Sequence, residues 1–244
     1  MPSHPPRLQT LLHELNQELS PELQGTIVRA SRAHNDPTAM LRRFPSGLAE
    51  IDELVGGGFP VGCLSEISGP ISSGRTSLVL ALLARATRNG AHVAWVDHAE
   101  AFDPASADAA GVVLERVLWV RAQQALAALR CTERILETEG FALVVLDLTR
   151  RLQARNSKLA QRDRKTSIPQ AAWLRLTRLT AGKQNTLILL SDQRLAGSRA
   201  ALALEMQPAI AHFTGTPVLL ESLETHALLT RRRPEYSKAA SRAA

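Results

Sequence analysis

The sequence predicts an α/β domain with a mostly parallel central sheet flanked by helices. Its clearest signal is a glycine-rich turn at residues 69–77, which leads from a strand-like run at 63–67 into an apolar helical run at 78–84. A second signal is the run at 141–147, which is apolar up to its last residue, as in a central parallel strand buried on both faces. A chain of 244 residues is long enough for one such domain with short appendages.

The N-terminal segment, residues 1–43, predicts one amphipathic helix followed by a polar linker. The helix spans about 7–19, because its leucines recur at helical spacing before Pro21: Leu8, Leu11, Leu12, Leu15 and Leu19. A helix this short is marginal alone, so it must dock on its own domain or on a neighbouring chain. Periodicity leaves both partners open. Residues 44–230 are predicted to form the core domain, and 231–244 a basic, disordered tail.

The glycine-rich turn has the spacing of a P-loop, with Gly69 and Gly74 separated by four residues and followed by a basic residue and Thr76. Glycines let several backbone N–H groups point at one phosphate, and the following helix adds its positive dipole end. ATP and Mg²⁺ are therefore the predicted cofactors, with Thr76 as a metal ligand. The predicted phosphate-binding residues are Gly69, Ser72, Ser73, Gly74, Arg75, Thr76 and Ser77.

Position 75 departs from the motif, because it holds Arg where the motif has Lys. Lys is a compact point charge, whereas the Arg guanidinium is a wide planar fork. We expect nucleotide binding to survive and hydrolysis to be weakened. The alternative is a vestigial loop that only turns the chain.

Asp147 ends the apolar run at 141–147, where ligands bind in open α/β sheets. It resembles a Walker B carboxylate that holds Mg²⁺ through water. The alternative is a helix cap. A strand at 91–96, a helix near 107–111, a strand at 114–120 and a helix over 123–139 are predicted between the P-loop and this carboxylate.

The window 150–183 is strongly basic, with ten Lys or Arg residues and Asp163 as its one acid. Its part up to about 167 lacks periodicity and is predicted to be a mobile loop, and a helix starts at Pro169. The whole chain has a net charge of +6 and a pI of about 10.1, which favours a polyanionic partner. A solvated charge run is the alternative.

Strands are predicted at 185–193, 209–213, 218–222 and 227–230, with only about fifteen connecting residues between the first two. Two cysteines, both expected to be buried thiols, and the lack of a signal-peptide core suggest a cytoplasmic protein. No window approaches the roughly 18 apolar residues of a membrane span.

Several of these motifs, in this order over about residues 44–225, resemble the RecA recombinase family. The approach to the loop, with Gly47, Asp52, Gly56-Gly57-Gly58, Pro60, Gly62 and Glu66-Ile67, is similar to that family, as is the later Asp103-Pro104. The resemblance implies a RecA-like core with an antiparallel extension after the strand that ends in Gln193.

The resemblance also implies roles for single residues. The family's water-polarising Glu falls on Ala99, so that Glu100 either takes over this catalytic role or the carboxylate is lost. Gln193 matches the catalytic residue that senses the outer phosphate. The family's first DNA-binding loop follows the Walker B strand, which places Arg151, Arg155, Lys158, Arg162, Arg164 and Lys165 on single-stranded DNA. The glycine-rich second loop, an interface Lys segment and the C-terminal domain are not recognisable.

Two functions from different classes fit this pattern. The first is an accessory protein of SOS damage tolerance and translesion synthesis, similar to the ImuA group of short RecA-like proteins. Such a protein binds DNA and a partner, for example an error-prone polymerase-like protein or a recombinase filament, and is at most a weak DNA-dependent ATPase. It can also self-associate through its N-terminal helix. The second is an active DNA-dependent ATPase with recombinase activity. A regulatory ATP-binding module of the circadian-clock or radical-repair kind is a third reading, which the basic window disfavours.

Overall fold

The structure is a computed structural model that describes residues 42–149, 168–215 and 218–233. These residues belong to one compact unit, Leu41–Ala244. The predicted N-terminal helix, the six basic residues assigned to DNA and the C-terminal tail lie outside the described residues. The assignments made for them remain predictions.

Helices and strands alternate along most of the described chain, as the sequence predicts. The helices are α1 (Ala49–Val55), α2 (Arg75–Arg88), α3 (Pro104–Ala109), α4 (Ala125–Glu137) and α5 (Gln170–Thr180). The strands are β1 (Arg43–Phe44), β2 (Phe59–Pro60), β3 (Leu64–Ser68), β4 (His92–Asp97), β5 (Val117–Arg121), β6 (Phe141–Asp147), β7 (Thr186–Ser191), β8 (Leu202–Met206), β9 (Ile210–Thr214), β10 (Leu219–Glu224) and β11 (Ala227–Arg232).

Seven strands form the central sheet, in the order β11-β8-β3-β7-β6-β4-β5. The six strands from β8 to β5 run parallel, and β11 pairs antiparallel with β8. This arrangement confirms the predicted α/β architecture and its antiparallel extension. The carboxyl ends of the parallel strands therefore meet along one edge of the sheet, where α/β proteins place their ligand sites.

The sheet is buried on both faces, because alternate residues of each strand point into different cores. Val93 and Trp95 of β4 join the core that contains α2, whereas Ala94 and Val96 join the core that contains α4 and α5. All four side chains are fully buried. Both faces of such a strand must be apolar, which explains the continuous apolar runs in the sequence.

Strand β8 contradicts the sequence prediction, which treated residues 194–208 as a connection. The run Leu202-Ala203-Leu204 consists of residues that favour helices, so propensity gave no sign of a strand. In the structure β8 pairs with β3 over Ser65–Ser68 and is almost completely buried. Pairing and burial in the sheet have overridden the local preference.

A separate antiparallel hairpin, formed by β9 and β10, connects β8 to β11. A bulge between Leu220 and Ser222 shifts the register, so that Leu220 faces the same side as Leu223. Their cross-strand partners are Phe213 and Ala211, which makes this side of the hairpin apolar. The side chains of Phe213, Leu220 and Leu223 are more than half exposed.

Two smaller findings bear on the sequence predictions. Neither Cys63 nor Cys131 forms a disulfide, and both are partly exposed, so the expectation that both are buried is wrong. Among the described residues, no helix has the length and apolarity that crossing a membrane requires.

Candidate phosphate-binding site

The carboxyl edge of the sheet brings the predicted site residues together. Register pairs Ser68 of β3 with Ser191 of β7, Leu190 of β7 with Asp147 of β6, and Asp147 with Asp97 of β4. Neighbouring strands lie about 4.8 Å apart, so the phosphate loop after β3 and the two carboxylates share one short stretch of this edge.

The loop between β3 and α2 has the conformation of an anion cradle. Ser72 and Gly74 have positive φ values of 61° and 83°, which curls the backbone around the start of the helix. Gly74 is the N-cap of α2 and supplies no side-chain cap, and Thr76 and Ser77 in the first turn are exposed. Uncapped N–H groups at a helix N-terminus, together with nearby hydroxyls, suit a phosphate.

The cradle needs glycine at its first position. A Cβ on Gly69 would lie 2.5 Å from the carbonyl oxygen and 2.9 Å from the Cβ of Met206, on strand β8. It would also lie 2.8 Å from Oγ of Ser73, a buried hydroxyl without a hydrogen-bond partner. The hydrogen-bond donors of this loop, which are backbone N–H groups and hydroxyls, fit the phosphate part of a nucleotide.

Arg75 is turned into the protein rather than held out over the loop. One guanidinium nitrogen, Nη1, donates to the carbonyl oxygen of Gly69 and, at 3.4 Å, to that of Ser191. The other, Nη2, forms an ion pair with Oδ1 of Asp192 at 2.8 Å. The side chains of Arg75 and Asp192 are only 9% and 16% exposed. The positive charge of the phosphate loop is therefore paired with a carboxylate of the protein itself.

Asp147 is almost completely buried at the end of β6. Its Oδ1 accepts hydrogen bonds from the backbone N–H (2.9 Å) and the hydroxyl (2.6 Å) of Thr149. Burial raises the pKa of Asp147 to about 6, although the Thr149 hydrogen bonds lower it; the nearby Asp97 charge adds to the rise. A carboxylate at the end of β6 and an exposed Thr76 hydroxyl at the start of α2 are oxygen ligands of the kind that suit Mg²⁺, which binds few protein ligands and keeps water and phosphate oxygens.

Asp97 is a site residue that the sequence reasoning missed. Its carboxylate is fully buried and accepts three hydrogen bonds of 3.1 Å, from Ala101 N, Phe102 N and Trp119 Nε1. Phe102 packs against Trp95 and Trp119, with ring centroids 5.0 and 5.3 Å apart. Asp97 thus fixes the turn that follows β4. Asp97 ends an apolar run in the sequence, as Asp147 does, and this position could have identified it as a candidate site residue.

That turn positions the two residues on which the catalytic prediction depends. Ala99 is buried, and the neighbouring Glu100 is exposed. Glu100 has a φ of 54°, and Ser72 is the other non-glycine residue with positive φ in the described part of the chain. Both are predicted site residues. Backbone strain of this kind concentrates at functional sites, which supports a role for Glu100.

The strain at Glu100 can be tested by comparing two substitutions. We expect Glu100→Gly to be more stable than Glu100→Ala by about 1 kcal/mol, because glycine adopts positive φ without a Cβ clash. Both variants lose the carboxylate and its contacts, so these effects cancel in the comparison. Urea unfolding of the two variants measures the difference. A glycine variant less stable than the alanine variant would contradict a strained conformation.

Gln193 lies just beyond β7 and is exposed, on a segment that is tied to β3 and the loop. The buried Glu66 of β3 accepts hydrogen bonds at Oε1 from Leu195 N (2.5 Å) and Ala196 N (3.2 Å). Burial raises the pKa of Glu66 above its usual value, and the two backbone hydrogen bonds reduce this rise. Together with the Arg75–Asp192 pair, Glu66 holds both ends of the segment that carries Gln193.

Three cations of the basic window fall on described residues. Arg175 of α5 forms an ion pair with Glu133 of α4, and Lys183 Nζ donates to the carbonyl oxygen of Leu136. Arg178 is exposed. Two of these three cations therefore have a structural role: Arg175 joins α5 to α4, and Lys183 joins the residues after α5 to α4.

The fold and this edge define a P-loop protein with a RecA-like core: a phosphate loop after β3, a carboxylate at the end of β6, and a polar residue after β7. The RecA N-terminal domain family matches residues 10–175, more than half of the chain. This chain therefore belongs to the RecA family.

Individual relatives agree with this assignment. The chain is 33% identical over 124 residues to Protein RecA of Picosynechococcus sp., a match covering 51% of this chain and 35% of that protein. It is 31% identical over 140 residues to the chloroplastic DNA repair protein recA homolog 1 of Arabidopsis thaliana, covering 57% and 30%. The matches span about a third of these relatives' own length.

A solved structure, that of the RadB recombinase, shares the fold. It superposes with a TM-score of 0.56 at 23% sequence identity, covering 78% of this chain and 90% of that one.

Proposed function

We propose that this chain is a RecA-family accessory protein of DNA damage tolerance, similar to the ImuA group, that binds single-stranded DNA and a protein partner with an ATP site of low activity. The observation that carries the proposal is the largely buried Arg75–Asp192 pair, because a site that turns over ATP needs a cation on the phosphates and Arg75 is paired with Asp192 instead. The buried Ala99 at the position of the family's catalytic Glu supports the same reading.

Mg-ATP remains the proposed ligand of the site. The loop from Gly69 to Ser77 would bind its phosphates, and Thr76 and Asp147 would hold Mg²⁺, with Glu100 and Gln193 nearest to the outer phosphate. When bound, Mg²⁺ supplies charge neutralisation at the transferring phosphoryl group. The pKa of Asp147 is about 6, so its carboxylate is ionised above that pH and can then serve as a metal ligand.

The rest of the proposal concerns parts of the chain beyond the described residues. The basic loop after β6 grips the phosphates of single-stranded DNA without reading sequence. The leucine face at 7–19 binds a neighbouring molecule, which is another copy, an error-prone polymerase-like protein or a recombinase filament. We assign the core at 44–230 and its two flanking segments to a cytoplasmic role in the SOS response.

DNA binding tests this proposal. We expect the full chain to bind a single-stranded oligonucleotide equally well with and without Mg-ATP, since no nucleotide switch is required. Replacing Arg151 and Arg155 by Ala should weaken binding and reduce the slope of log K against log salt by about 1.4, or about 0.7 per lost phosphate contact. Fluorescence anisotropy between 50 and 300 mM salt measures both quantities.

The matched control replaces Arg130 and Arg134, two exposed residues of α4, by Ala. This variant carries the same change in net charge at exposed positions outside the basic loop, and we expect its salt slope to equal that of the wild type. Equal slopes for all three proteins would contradict the assignment of DNA to the basic loop. Binding that requires Mg-ATP would contradict an accessory role.

The second candidate, an active DNA-dependent ATPase with recombinase activity, has one observation in its favour. Asp147 lies at the end of β6 with its carboxylate oriented by Thr149, as a metal-holding carboxylate requires. ATP-dependent DNA binding would favour this candidate.

A further inference from the structure

The phosphate loop carries its own negative counter-charge. The guanidinium of Arg75 has three described acceptors, Gly69 O, Ser191 O and Asp192 Oδ1, and all of them belong to the protein. Asp192 follows β7 directly, so its carboxylate sits beside the loop that would receive phosphates. An entering phosphate would meet both a neutralised cation and a carboxylate of its own sign.

Low exposure strengthens this pairing. Both side chains are largely buried, and charges attract more strongly where water is excluded. A phosphate that takes the place of Asp192 on Arg75 would separate this carboxylate from the guanidinium, which is costly where both groups are largely buried. Asp147 and Asp97, two buried acids at the ends of neighbouring strands, add further negative charge at this edge of the sheet.

The same pair fixes the segment that would respond to nucleotide. The segment begins at Asp192, whose ion pair with Arg75 anchors it to the phosphate loop. Ser191 Oγ donates to Gln193 O at 2.9 Å, and Glu66 accepts hydrogen bonds from the backbone N–H groups of Leu195 and Ala196. The segment is therefore held in place by several contacts within the protein.

We propose that Asp192 is an inhibitory residue of the phosphate site: it pairs with Arg75 in place of a phosphate and so weakens the binding of Mg-ATP. This inference rests on the proposed function, since it assigns regulation to the same site. A protein that releases Arg75 by drawing Asp192 away would open the site. Removing the Asp192 charge alone should do the same.

Asp192→Asn tests the proposal, because it keeps the size of the side chain and removes its charge. We expect it to bind inorganic pyrophosphate, and ATP with Mg²⁺, at least tenfold more tightly than the wild type by isothermal titration calorimetry. Asp108→Asn, an exposed change of equal charge on α3, should leave both affinities unchanged. Asp192→Glu retains the charge, so its increase in the logarithm of the binding constant should be less than half of that of Asp192→Asn.

The outcomes separate the two proposals. No gain in Asp192→Asn, with a wild type that scarcely binds, overturns the inhibitory role of Asp192 and leaves the accessory function standing. Tight binding and rapid turnover by the wild type overturn both. A measurement on the wild type covers the case in which Asp192→Asn fails to fold: pyrophosphate at millimolar concentration should leave the Arg75 guanidinium NMR signals unshifted, and a shift would overturn the proposal.

Discussion

Gly69→Ala is expected to lower the free energy of unfolding by about 3 kcal/mol or more, which is a large part of the stability of a typical domain. The new Cβ would lie 2.5 Å from the Met206 carbonyl oxygen. That oxygen belongs to the backbone of β8, which is paired with β3 on one side and β11 on the other and cannot yield cheaply. For a chain of this size the loss corresponds to a fall in Tm of roughly 6–12 °C.

Gly90→Ala is the matched control for this prediction. Gly90 also has a positive φ, 85°, but an added Cβ would meet nothing within 4 Å. We expect a cost of about 1 kcal/mol from the backbone conformation alone. The difference between the two variants isolates the clash with β8. Equal melting temperatures for both variants would show that the loop and β8 are not in this close contact.

Asp147→Asn is expected to stabilise the protein at pH 7. Burial raises the folded-state pKa of Asp147 from 3.8 to about 6, so the native protein binds its proton more tightly than the unfolded chain does. Stability therefore falls as pH rises from about 4 to 6, and above pH 6 the ionised form costs up to about 3 kcal/mol. Asn avoids this cost and can still accept both Thr149 hydrogen bonds.

Urea unfolding at pH 5, 6 and 7 measures this effect, and the gain over wild type should shrink as the pH falls. Asp103→Asn is the control of opposite sign, because hydrogen bonds from the Ser106 side chain and backbone lower the pKa of the exposed Asp103. Its folded-state carboxylate contributes stability above its normal pKa, which the variant should lose at pH 7. A less stable Asp147→Asn at pH 7 would contradict a burial cost at this site.

Sequence reasoning reached most of the fold because the strongest physical signals are local. The P-loop spacing predicts a phosphate-binding loop from nine residues, and the apolar run that ends at Asp147 predicts a buried strand with a carboxylate at its end. Strand β6 was predicted with its observed bounds, Phe141–Asp147. Strand β8 escaped because Leu and Ala specify burial without specifying a strand, and its pairing with β3 joins residues more than 130 positions apart.

For the site, too, local features could be predicted from the sequence and long-range contacts could not. The loop residues could be named from their spacing, but the partner of Arg75 could not, since Asp192 lies 117 positions away and is brought near by the pairing of β3 with β7. Asp97 was passed over because its hydrogen bonds join a turn and the indole of Trp119 on another strand. Local motifs predict which groups are present, and the topology of the sheet decides which groups meet.

The central claim is that the Arg75–Asp192 pair makes this RecA-family chain a poor ATPase, and steady-state hydrolysis of Mg-ATP measures it most directly. The assay runs at pH 7.5 with and without single-stranded DNA, with a RecA protein as the positive control. The account predicts turnover at the background level in both conditions. Hydrolysis that single-stranded DNA stimulates many-fold, to a rate near that of the control, would contradict it.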